Sequence, residues 1–192
     1  MYEQIDAYVG RCLSLNTEEL GFFHSCLEHK VYKKKTFLLR EGMICDFEAY
    51  ILKGCIRSYY VDEKGEETIL MFAVEDWWVS DIASFSEGKP SLMFIETVED
   101  TEVLQISRKE KEKLFRQVPQ FERMFRLMVQ RSLSELQQRF FYFVSRSARE
   151  RYLSFLHKYP GIAQRVPQHQ IARYLGISPE FLSKIRSELA HH

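Results

Sequence analysis

The polar residues whose spacing suits recognition lie near the C-terminus. Glu180, Ser183, Lys184 and Ser187 recur at three- and four-residue intervals, which puts them on one face of a helix. Leu182, Ile185 and Leu189 fall on the opposite face. Ser178 is a strong N-cap, and Pro179 suits the first helical position because its missing N–H costs nothing there. Upstream, Ile171, Ala172 and Leu175 form a second apolar set, closed by Gly176, a residue that tolerates positive φ. Ile177 would plug the corner. Two short helices across such a turn have the layout of a helix-turn-helix, whose second helix enters the DNA major groove N-terminus first.

By position, Ser178, Pro179, Glu180, Ser183 and Lys184 would face the groove. A carboxylate there can accept from a cytosine amino group, and an ammonium can donate to guanine. Gln168, His169 and Arg186 are better placed for phosphates, which position the protein without specifying sequence. The bland alternatives stay open: an ordinary helical hairpin, a solvated charge at Arg186, a first-turn carboxylate at Glu180.

Other chemistries find little support. Cys12, Cys26, Cys45 and Cys55 form no Cys-x-x-Cys pair and read as free thiols in a reducing compartment. His24 and His29 do not share a helical face, and Val31–Ile106 contains no histidine, so no metal site and no cupin-like metal enzyme is expected. No Ser/His/Asp or Cys/His arrangement presents itself, and an enzyme is not expected. No apolar run is long enough to span a bilayer, and no secretory signal opens the chain; the expected location is the cytoplasm.

The formal net charge of the 192 residues is zero, but it is unevenly placed. From Arg146 onward there are 8 Lys/Arg and 3 Asp/Glu, so a basic tail follows an acidic body, as phosphate contacts require.

The elements ahead of the tail change character along the chain. Residues 1–29 read as helical, with Asn16 or Thr17 as a cap. From Val31 to Ile106 the pattern is of strands: VYKKKTFLLREG, AYILKGCIRSYYV interrupted at Lys53-Gly54, and a hairpin turn at Asp62–Gly65 leading into ETILMF. A short helix over Arg108–Phe115 precedes a long one starting at Pro119, whose apolar residues either cover the roll or meet a second copy. Ser147 with Glu150 is a capping box for a further helix, ended by Pro160-Gly161.

The words LKGCIRSYYVDEKGEE, FAVEDWWVSDIASFSEGKPS, IETVEDTEVLQIS, RERYLSFLHKYP and IARYLGISPEFLSKIR, in this order, resemble the Crp/Fnr family of bacterial regulators. The resemblance implies an α+β chain: an N-terminal double-stranded β-roll, jelly-roll-like, with flanking helices over residues 1–118, a long dimerisation helix over 119–145, and a helix-turn-helix domain over 146–192. It implies a homodimer on a two-fold symmetric DNA operator, with Phe125, Met128, Leu133 and Leu136 at the seam and RNA polymerase as a candidate partner.

Two departures from the family pattern stand out. The cassette that holds a Gly-Glu pair and an Arg in nucleotide-binding members here reads Trp78, Ser80, Asp81, Ile82 and Ala83, with Ser91 at the Arg position. Without that cation a cyclic phosphate loses a charge-assisted contact, so no cyclic nucleotide is expected and any other small-molecule effector is unidentified. The wing that follows the recognition helix in the family finds no room, since only Ala190, His191 and His192 follow Leu189: either the protein reads DNA without a wing, or the chain has been shortened. A metal role for the two histidines is not expected. The reading is a DNA-binding regulator; the alternative is a ligand- or partner-binding signalling module on the same fold that does not touch DNA.

Overall fold

The computed structural model describes residues 1–190; His191 and His192 lie outside the described residues. Two helices open the chain, α1 (Glu3–Gly10) and α2 (Thr17–Ser25). Asn16 begins α2 through a full capping box with Glu19. Eight strands follow: β1 (Glu28–Tyr32), β2 (Phe37–Leu39), β3 (Phe47–Lys53), β4 (Ile56–Val61), β5 (Glu67–Ala73), β6 (Trp78–Val79), β7 (Phe94–Thr97) and β8 (Thr101–Ser107), with α3 (Ile82–Glu87) between β6 and β7. They form two antiparallel four-stranded sheets, ordered β1-β8-β3-β6 and β2-β7-β4-β5. Together with the helices this is the expected α+β roll.

The run VYKKKTFLLREG is not one strand. Lys35 takes φ 62, a left-handed conformation, and the chain crosses from one sheet to the other there. Thr97 Oγ1 accepts from Thr36 N and donates to Lys33 O, which pins the crossing. At Lys53-Gly54 the chain turns between β3 and β4. Gly54 has φ 110, and a Cβ there would sit 2.4 Å from Thr101 Oγ1, so only glycine fits. The β4–β5 hairpin pairs Val61 with Glu67, and Asp62 Oδ1 closes its turn by accepting from Lys64 N and Glu66 N.

Several strands are covered on both faces, so they read as nearly continuous apolar runs. On β3, Ala49 and Ile51 face the roll interior with Ile56, Ile95 and Val103, while Tyr50 faces outward. Tyr50, Leu104 and Ile106 pack under the helices against Ile5, Phe23 and Phe121.

After the roll come α4 (Arg108–Gln117), α5 (Gln120–Ser145), α6 (Ala148–Lys158), α7 (Pro160–Arg165), α8 (Gln168–Leu175) and α9 (Pro179–Ala190). Ser147 and Glu150 form the expected capping box on α6. Pro160-Gly161 does not simply stop a helix. Pro160 occupies the first position of α7, where proline is favoured.

The long helix covers the roll with its first turns only. Phe121, Met124 and Phe125 are buried against the roll, while Leu133, Leu136 and Phe140 stand exposed. Phe125 is therefore not a seam residue: its ring lies edge-on to Trp78 and to Phe115, each at 5.5 Å, inside the chain's own core. Met128 is half-buried at the edge of the same cluster.

Candidate nucleic-acid interface

The helix-turn-helix is built from local signals. Gly176 takes φ 67, and Ile177 N donates to Ala172 O, ending α8 in a left-handed cap. Ser178 Oγ then accepts from Phe181 N at 3.2 Å and starts α9. Leu182 and Ile185 are buried against Ile171, Ala172 and Leu175. That packing turns the other face of α9 outward, leaving Pro179, Glu180, Ser183, Lys184 and Arg186 exposed together.

Ser178 and Glu180 also serve the helix start. The backbone N–H of Glu180 and the Ser178 hydroxyl hold the Glu180 carboxyl below its usual range. His169 is exposed at the start of α8, and Gln168 is half-buried beside it with its Oε1 out of contact with any hydrogen-bond partner. The sequence reading missed Phe181, an exposed aromatic next to Glu180.

The basic tail is not free as a whole. Arg165 grips Glu75 through two bonds, of 2.7 and 2.8 Å, and also reaches Glu99. Arg173 on α8 pairs with Glu67, which Arg57 holds from the other side at 2.7 Å. Beneath these pairs α8 packs on β5, and Tyr59, Ile69 and Phe72 of the roll join Tyr152, Phe155 and Ile171 in one apolar cluster. No helical or strand periodicity signals this docking, because the paired residues lie 66 to 106 positions apart.

The residues matched to the nucleotide cassette do not assemble into one pocket. Trp78 faces the helix layer, 5.5 Å from both Tyr50 and Phe125, because it alternates with the inward-facing Val79. Its placement as an effector-pocket residue is thereby corrected. Ile82 and Ala83 are exposed on α3. Ser80 Oγ donates to Phe47 O at 2.9 Å. Asp81 is buried and caps α3 by accepting from Ser84 N, and it also accepts from Ser91 Oγ at 2.6 Å.

A cyclic phosphate does not fit these groups. Ser91, at the Arg position of the cassette, offers an uncharged hydroxyl that is already bonded to Asp81, so no cation stands there to meet a phosphate. Of the nearby cations, Lys89 pairs with Glu87 on the open surface at 2.7 Å, and Arg108 donates to Ser84 O.

Comparison with known proteins agrees with the architecture. Residues 29–118 match the family described as the cyclic nucleotide-binding domain. The transcriptional activator protein Anr of Pseudomonas protegens is 24% identical over 185 residues, covering 90% of this chain and 75% of Anr. The cAMP-activated global transcriptional regulator CRP of Salmonella typhimurium is 30% identical over 99 residues, covering 52% of this chain and 45% of CRP. Among solved structures, FixK2 from Bradyrhizobium japonicum superposes with a TM-score of 0.76 at 21% identity, covering 86% of this chain and 85% of that one.

A double-sheet roll is joined through a long helix to a helix-turn-helix, a two-part architecture shared with FixK2. Residues 29–118 carry the match to the cyclic nucleotide-binding domain, and the chain as a whole is similar to transcriptional regulators of the Crp/Fnr type, Anr among them.

Proposed function

We propose that this chain acts as a homodimeric DNA-binding regulator on a two-fold symmetric operator, without control by cyclic AMP. The observation that carries the reading is α9 itself. It is capped by Ser178, seated on its apolar face and open on the face that holds Glu180, Ser183 and Lys184. In this role Glu180, Ser183 and Lys184 contact bases, Ser178 and Pro179 present the helix N-terminus, and Gln168, His169 and Arg186 meet phosphates.

The exposed stripe of Leu133 and Leu136 supports pairing of α5 with a second copy, with Met128 at its edge. Such pairing would set two recognition helices about 34 Å apart, one turn of DNA. The Asp81–Ser91 bond supports independence from cyclic AMP. No helix among the described residues is long and apolar enough to cross a membrane, and the proposed location is the cytoplasm, with RNA polymerase as a candidate partner. The role is one of binding, not of catalysis, as in the regulators that the chain resembles.

The capture of Arg165 and Arg173 by Glu75, Glu99 and Glu67 favours a second reading, a signalling module that does not read DNA. Selection from a random duplex pool, without added ligand, separates the two. The expected result is an enriched inverted repeat whose affinity falls steeply with salt, with a slope of about −0.9 per phosphate neutralised. Binding that is weak, flat with salt and without enrichment favours the module.

A further inference from the structure

Arg139 lies on α5, and its guanidinium is turned into the body of the protein. Three main-chain carbonyls accept from it: Ile69 O at 3.0 Å and Leu70 O on β5, and Tyr174 O at 2.8 Å on α8. Its Cζ lies 3.9 Å from the centroid of the Tyr174 ring. No carboxylate is among these partners, and burial holds the guanidinium below its usual pKa. A cation out of water is costly unless its donors are met, and here three of the five find carbonyls. One belongs to the last turn of α8, where the helix dipole is negative.

The donor and acceptors come from the three units of the chain. Arg165–Glu75, Arg165–Glu99 and Arg173–Glu67 also tie the helix-turn-helix to the roll, but none of them involves α5. They can hold the hairpin on the sheet without setting its angle to the long helix. Arg139 touches both at once.

We propose that Arg139 is a positioning residue for DNA recognition, fixing the rotation of the helix-turn-helix about the end of α5. The proposal rests on the dimeric DNA-binding reading. In that dimer the rotation sets the separation of the two recognition helices, and hence the spacing of half-sites that the protein accepts. The planar fork is what the joint needs, since a single ammonium cannot span carbonyls on β5 and α8 in fixed directions.

The test uses the full chain, Arg139→Lys and Arg139→Gln, each checked for an unchanged thermal melt. Duplexes carry the selected half-site with a spacer varied one base pair at a time. The wild type is expected to show a sharp optimum, and both variants to lose about tenfold of the preference for it over its neighbours while keeping the half-site bases. A purely structural role would weaken binding equally at every spacer. An unchanged optimum in the variants would overturn the proposal, as would a gain of affinity at the same optimum.

A second arm needs no DNA. Spin labels at Glu63→Cys and Ser187→Cys, in a Cys12→Ser background, report the distance from roll to α9. A narrow distribution that broadens in Arg139→Lys supports the joint, and one equally narrow in both overturns it. Should the wild type enrich no inverted repeat, the dimeric reading fails, and this arm still decides whether Arg139 orients the hairpin.

Discussion

Ser91 Oγ donates to Asp81 Oδ2 at 2.6 Å, and both side chains are buried. Asp81 also caps α3, and Ser91 Oγ further accepts from Met93 N. The pair therefore holds together the segment matched to the nucleotide cassette. Cyclic AMP is expected to leave the melting temperature unchanged. At a hundredfold excess over its dissociation constant a bound ligand would add about 2.7 kcal/mol, so any tight binding would be visible in a thermal shift. Ser91→Ala should itself destabilise by about 1–3 kcal/mol, by leaving Asp81 short of a partner, as read from denaturant midpoints.

The exposed stripe on α5 predicts how association fails. Leu133→Glu or Leu136→Glu places a carboxylate on a side chain that is more than half exposed in the single chain, so the fold should survive. A dimer seam there would bury the charge. Sedimentation should show monomers for either variant, with DNA affinity reduced in parallel. Intact dimers would move the seam elsewhere.

Gly176 joins α8 to α9 at φ 67, and a Cβ there would lie 3.1 Å from Phe143 Cε2. Gly176→Ala should cost about 1–2 kcal/mol from the left-handed backbone alone. Because Phe143 stands on α5, its displacement should also be felt there. Urea denaturation checks the first effect. A change of Phe143 methine resonances checks the second.

Glu75 predicts an acid-sensitive attachment of the helix-turn-helix. Burial raises its pKa, but bonds from Arg165 and from Gly54 N outweigh burial and bring it down to about 2 from its ordinary 4.5. A carboxyl depressed in the folded state stabilises above its unfolded pKa and loses that contribution as pH falls through the folded value. The tie is thus complete near neutrality and fades between about pH 4.5 and 2. Glu75→Gln should flatten the fall in stability over that window. An unaltered acid limb in the variant would mean that Glu75 does not carry it.

Much of the chain was legible from neighbours in sequence. Asn16 with Glu19, Ser147 with Glu150, and Gly176 with Ser178 act within four residues, so their chemistry shows without the fold. The same is true of Asp62 closing its hairpin and of Leu182 with Ile185 defining the buried face of α9. The reader helix and its open face followed from these residues alone.

Other features depended on which surfaces came together. Trp78 belongs to the pocket by sequence order, yet the pleat of a two-residue strand sends it to the helix layer. Phe125 continues the apolar spacing of Leu133 and Leu136, but the roll covers it and leaves them bare. An apparently single strand breaks at Lys35 because its two halves pair in different sheets, β1 with β8 and β2 with β7.

The amino-acid sequence by itself determined most of the local elements and their caps, since these arise from contacts a few residues apart. Only the tertiary structure decided that the helix-turn-helix docks on β5, that Arg165 and Arg173 close on Glu75, Glu99 and Glu67, and that Arg139 reaches carbonyls of two other units. Charges so far apart in the chain carry no mark of their partners, because their pairing is imposed by the packing of surfaces that meet only once the chain has folded.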